Sequence, residues 1–343
     1  MPAPSRPTPA GPDTLWFTRC PVPTATGIAA DLGLLPAEFA PDGIAVRSLQ
    51  EVPADVARDH HYTHALTGLF REGGNVPALW ARSRGEATRL LGLTWIEERQ
   101  VVLVHPDSGI RSAAQLRGRR LAVPRHPIAI DFWRAMALAG FTGALASAGL
   151  RLSDAEPVEV PAGDVPGQWE AELRALSAGE VDAVYAKGAV AAEAAERHGA
   201  VVAVDLDRLP DRTTRVNNGT PRPLTVHQEL LDHHPELVVR FLAVLVEAAQ
   251  WAAHNPTGTA RILGAETGAG ADGVARAYRD GGHRTLHLDL SAERLELLAR
   301  QERFLYGQGF LAAPVDIGAW SDPEPLRHAR ELAAARAARQ PTG

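Results

Sequence analysis

The chain has 343 residues, 45% of them hydrophobic and 22% charged, with a formal net charge of −6. That is the balance of an ordinary globule with room for about two domains at ~150 residues each, and it lacks the basic surface of a nucleic-acid binder. A single cysteine excludes an intramolecular disulfide and a thiolate metal cluster.

The opening MPAPSRPTPAGPD has no apolar stretch of the kind a secretory signal needs and reads as a Pro/Ala-rich lead-in. No run approaches ~18 uninterrupted apolar residues. The expectation is a cytoplasmic monomer with no membrane span and no nucleic-acid partner. Leu15-Trp16-Phe17-Thr18 predicts a first strand, which ends at Cys20 in the rigid segment Cys-Pro-Val-Pro. Thr24 or Thr26 caps the helix that follows. Further strands are expected over 44–49, 90–95, 101–105, 121–123, 158–160, 181–185 and 201–206, separated by Ala- and Leu-rich helices, the rhythm of βαβ units. After Pro223 long helical patterns dominate, over 228–254 and 291–309, with one short strand at 224–226. GAETGAGADG, residues 264–273, follows a helix and has the wrong spacing for a dinucleotide fingerprint; a loop is expected there. The fold class is α/β in two lobes.

Cys20 is a candidate for chemistry because it sits where a strand ends and a helix begins. Open α/β sheets bind ligands outside the carboxyl ends of their strands, and a helix N-terminus favours a thiolate or a bound anion. A lone cysteine is otherwise a small buried hydrophobe. His60-His61-Tyr62-Thr63-His64 leads to Arg71-Glu72-Gly73-Gly74. His61 and His64 at i, i+3 are too few for a zinc site, and no metal or organic cofactor is expected. Arg71 beside a Gly-Gly turn offers a bidentate fork and backbone N–H groups to an anion; the bland alternative is a solvated turn with Arg71 paired to Glu72 or Glu98.

Two sets of motifs carry a resemblance. SGIRSAAQLRGRRLAVP at 108–124 and GEVDAVYA at 179–186 resemble the type II periplasmic-binding-protein fold, in its sulfonate and thiamin-precursor branch. RCPVPTA at 19–25, His61 and REGGNVP at 71–77 resemble the hydroxybiphenyl sulfinate desulfinase family, and the likeness continues through RLLGLTW, DFWR and QWAAHNP. The resemblance implies a two-lobed fold with the ligand in the cleft, lobe 1 formed by 1–106 and 217–343 and lobe 2 by 107–216. It implies cofactor-free C–S cleavage of a small anionic sulfinate, with Cys20, His61 and Arg71 catalytic and Gly73 and Gly74 holding substrate. A solute-binding protein of an importer, or a related cleft enzyme on another acid, are the alternatives.

The chain departs from the family pattern at two places. Glu72 replaces an aromatic residue, and 185–189 carries Lys187 and no tryptophan, so the pocket is expected to be less aromatic. Lys187 should face the cleft mouth, where an unanswered ammonium is costly. A nearby carboxylate or the substrate itself has to answer it; Lys187 is counted with the substrate-binding residues, and the expectation is a compact substrate with a second polar or anionic group in place of an apolar biaryl.

Overall fold

In the computed structural model, residues 11–19, 22–53, 60–163, 167–278 and 281–339 are described; Cys20 and the start of the predicted lead-in lie outside them. Two five-stranded mixed sheets form the frame. The first has the order β2-β1-β3-β10-β4, with β1 at Thr14–Phe17, β2 at Ala45–Ser48, β3 at Leu69–Glu72, β4 at Thr88–Thr94 and β10 at Arg222–His227. The second has the order β7-β6-β8-β5-β9, with β5 at Gln100–Val104, β6 at Arg120–Arg125, β7 at Glu156–Pro161, β8 at Ala183–Lys187 and β9 at Val201–Asp205. In each sheet one strand runs antiparallel to its neighbours: β10 against β3 and β4, and β5 against β8 and β9. These two strands are where the chain enters a sheet after crossing from the other. This is the two-lobed type II periplasmic-binding-protein fold expected from the sequence. The boundary expected at 106/107 leaves β5 with the first lobe, whereas its hydrogen bonds lie in the second sheet.

The strands read as the sequence suggests where helices cover both faces. β5 is buried at all five positions and β4 at six of seven, so their apolar runs are continuous instead of alternating. Thr24 caps the first helix, α1 (Ala25–Asp31), its hydroxyl accepting from the Gly27 N–H at 2.9 Å. The long pattern after Pro223 divides into α7 (Gln228–His233) and α8 (Pro235–His254) at His234, whose ψ of 53° leaves the helical range. The chain also forms α2 (Leu34–Phe39), α3 (Asn75–Ser83), α4 (Phe132–Ala146), α5 (Glu170–Ser177) and α6 (Gly188–Arg197).

Helix α8 is long and apolar enough to cross a membrane, the one such helix among the described residues. Its apolar face packs into the first lobe, where Phe241 stacks on Phe70 of β3 with ring centroids 3.8 Å apart. The loop expected at 264–273 is mostly helix. α9 (Pro256–Thr267) stops at Gly268, which takes the left-handed conformation (φ 69°), and α10 begins at Ala271. Two closing helices, Ala292–Gly307 and Glu324–Arg339, complete the first lobe.

Candidate active site in the cleft between the sheets

Strand β3 was not expected from the sequence, because Arg71 and Glu72 made the segment read as a polar turn. All four of its residues are buried. A strand sends successive side chains to opposite faces, and here this separates the two charges. Glu72 points away from the cleft, where its carboxylate accepts from the Thr26 N–H at 2.9 Å, the Thr26 hydroxyl at 2.7 Å and the Thr94 hydroxyl at 3.3 Å. It ties β3 to the first turn of α1 and to β4. Burial raises its pKa, against the pull of those hydrogen bonds. Its presence instead of an aromatic residue therefore leaves the shape of the cleft untouched.

Arg71 points the other way, into a cavity of about 180 Å³ between the sheets. It is 1% exposed, so the surface ion pair with Glu72 or Glu98 is overturned. Its Nε donates to the His61 carbonyl at 3.2 Å and its Nη1 to the Gly74 carbonyl at 3.0 Å. The two glycines make this possible. A Cβ on residue 73 would lie 2.6 to 2.9 Å from the guanidinium, and one on residue 74 would lie 2.4 to 2.7 Å from the Asn218 amide. The Gly73 N–H is committed to the Pro223 carbonyl. The Gly74 N–H opens α3, and no described residue accepts from it. Asn218, which the sequence did not single out, takes the next two donors of that helix. Its carbonyl accepts from Asn75 N at 2.7 Å and its Oδ1 from Val76 N at 2.9 Å.

His61 lines the same cavity. Burial, with the positive charges of Arg71 and Arg222, lowers its pKa to about 3, so the imidazole is neutral at physiological pH. His64 does not share a helical face with it: the helix ends at residue 63 and His64 has a φ of 55°. Among the described residues no three His, Cys, Asp or Glu side chains come together as a metal site. Cys20 itself lies outside the described residues, while Arg19 and Val22 on either side of it both line the cavity.

Lys187 reaches the cavity, as the carboxyl-end rule requires, but it is not left waiting for substrate. Its ammonium pairs with Glu98, both side chains being less than a tenth exposed, and the Tyr278 hydroxyl donates to the other Glu98 oxygen at 3.3 Å. The inference of a second anionic group on a compact substrate, as drawn from Lys187, is thereby removed.

The pocket is also more aromatic than expected. Phe132 and Trp133 at the start of α4, Trp169 before α5, and Tyr278 all line it. Trp133 lies edge-on to Trp169 at 5.2 Å and tilted against Phe132 at 5.3 Å. The aromatic wall absent from 185–189 is supplied by other segments. A cavity of roughly 150 Å³ holds one benzene ring, so this one has room for a group of about that size. Phe132 and Trp133 were legible as part of DFWR; Trp169, Arg222 and Glu98 carried no local signal.

A family model described as NMT1/THI5 like matches residues 75–259, more than half of the chain. The 2′-hydroxybiphenyl-2-sulfinate desulfinase of Rhodococcus erythropolis is 29% identical, over 92% of this chain and 93% of its own. Among solved structures, a mutant of DszB in complex with biphenyl-2-sulfinic acid is 26% identical, covering 93% of this chain and 99% of its own, at a TM-score of 0.74. The periplasmic aliphatic sulphonate binding protein SsuA from Escherichia coli is 20% identical over 91% of this chain and 93% of its own, at a TM-score of 0.69, and shares the fold.

Proposed function

Because the chain belongs to the NMT1/THI5-like family, and one cavity is lined by both a buried guanidinium and aromatic side chains, we propose that it is a cofactor-free desulfinase-like enzyme. It cleaves the C–S bond of an organic sulfinate and releases sulfite. The observation that carries this reading is the buried Arg71 guanidinium at the carboxyl end of β3, anchored on the Gly74 carbonyl and lining the cavity together with Gly74, where a helix opens. A guanidinium and a helix-opening N–H match the two oxygens of a sulfinate.

In the proposed reaction, Arg71 and the Gly74 N–H hold the sulfinate oxygens while the aryl group lies against Trp133 and Trp169. That orientation aims the C–S bond. Cys20 gives its thiol proton to the ring carbon. The C–S electron pair becomes the new C–H bond, and sulfur dioxide departs. Water adds to sulfur dioxide to give bisulfite and a proton, and His61 returns that proton to the Cys20 thiolate. The sum is sulfinate plus water to arene plus bisulfite. A thiolate attack on sulfur, followed by hydrolysis of the cysteine–sulfur bond, gives the same sum. The low pKa of His61 belongs to a resting site that buries it beside two arginines; the anions present during turnover raise its basicity. The proposed working state is a cytoplasmic monomer.

The test is sulfite release from a panel of aryl and alkyl sulfinates, with wild type and Cys20→Ser. Turnover of aryl sulfinates by the wild type is expected, with a loss of at least about a thousandfold in the Ser variant and retained binding, since a hydroxyl is a far weaker acid and nucleophile. Binding without turnover in the wild type would instead make the chain a solute receptor.

A further inference from the structure

Arg222 opens β10 and is 3% exposed. No described residue accepts a hydrogen bond from its guanidinium, and its Nε is fully buried with no partner. Its charge bears on the buried carboxylate of Glu72, yet that carboxylate accepts its hydrogen bonds from Thr26 and Thr94, and Glu98 takes its own from Lys187 and Tyr278. Its position is nonetheless defined. Measured from the point where a Cβ on Gly219 would sit, Arg222 Nη2 lies at 3.1 Å, Lys187 Nζ at 3.4 Å and Glu98 Oε2 at 3.8 Å. The charge of Arg222 also bears on His61. The side chain therefore stands in the cavity between the Arg71–His61 end and the Lys187–Glu98 end, and it lines that cavity.

Buried guanidinium donors without an acceptor are costly. Fixed cationic donors facing a cavity are what an oxyanion head requires. Resting on the reading of the cleft as an aryl sulfinate site, we propose that Arg222 is a second anion-binding residue, so that the head of the ligand is held between two guanidinium groups, Arg71 and Arg222. Lys187 has its own carboxylate and contributes less. The site then prefers aryl compounds with a charged, multi-oxygen head, and the product sulfite itself is a ligand of the same clamp.

The deciding experiment measures stability and affinity together, for wild type, Arg222→Met and Arg222→Lys. Calorimetry with benzenesulfinate and with inorganic sulfite gives the affinities, methyl phenyl sulfone serves as an uncharged control, and thermal unfolding of the free proteins gives the stabilities. Arg222→Met is expected to bind benzenesulfinate and sulfite about 30-fold more weakly, the loss of charged hydrogen bonds, and to bind the sulfone as the wild type does. The free Met variant should melt close to the wild-type temperature, because no described residue accepts a hydrogen bond from the Arg222 guanidinium in the free protein. Arg222→Lys, which keeps the charge without the fork, should fall between. A Met variant that binds both anions as tightly as wild type, or that melts far lower or fails to fold, overturns the proposal and leaves Arg222 structural. A wild type that binds neither anion overturns the sulfinate reading along with it.

Discussion

Replacing Gly73 by alanine tests the geometry of the site without removing any group proposed to contact a ligand. Gly73 does not adopt a positive φ, so the backbone accepts alanine and the added methyl acts only on what it meets. It meets Arg71: Nη1 at 2.6 Å, Cζ at 2.7 Å and Nη2 at 2.9 Å. Non-bonded atoms settle at roughly 3.5 Å or more, so the guanidinium must withdraw by about 1 Å. It then loosens from the His61 and Gly74 carbonyls that aim it. A displacement of that size costs on the order of a hundredfold in rate, or about 2.7 kcal/mol. The assay is kcat/KM for sulfite release from an aryl sulfinate, with the affinity for benzenesulfinate measured in parallel. Because the methyl acts through Arg71, Gly73→Ala in an Arg71→Ala background should cost almost nothing more. Turnover within threefold of wild type for the single variant, or full additivity in the double variant, would refute the reasoning.

Two further predictions concern buried charge. His61 and His64 are both held neutral, His61 with a pKa of about 3 and His64 well below its usual value, burial being the main cause in each. An unfolded chain protonates both near pH 6.5, so stability is constant above that value and falls as the pH drops below it, by up to about 1.4 kcal/mol per pH unit for each histidine. Urea unfolding between pH 7 and 5 should show this slope, and His61→Gln combined with His64→Gln should flatten it; an unchanged slope would count against the assignment. Lys187→Met should destabilise the protein by about 3–5 kcal/mol by leaving Glu98 buried without its cation, and adding Glu98→Leu should recover most of the loss. Chemical denaturation of the two variants checks both statements, and a Lys187→Met variant as stable as wild type would contradict them.

Much of the architecture was fixed locally. Continuous apolar runs at β4 and β5 specify strands covered on both faces, Thr24 specifies where α1 begins, and proline and glycine punctuation specify where helices stop. These are properties of a few adjacent residues, so the α/β rhythm, the two-lobed class and the motif residues His61, Arg71 and Gly74 were legible in the chain alone. What the tertiary structure decided was every feature that depends on residues far apart in sequence. Arg71-Glu72 read as a turn because two charges side by side suggest solvent; only the packing of β3 between β1 and β10 buries both and sends them to opposite faces. β5 belongs to the second sheet because hydrogen bonds to β8 and β9 hold it there, which no local pattern records. The aromatic wall comes from residues 132–133, 169 and 278, and Lys187 finds its counter-charge 89 residues away in Glu98. Sequence patterns report which face of an element is apolar, while the partner of a buried charge is set by which elements the topology brings together.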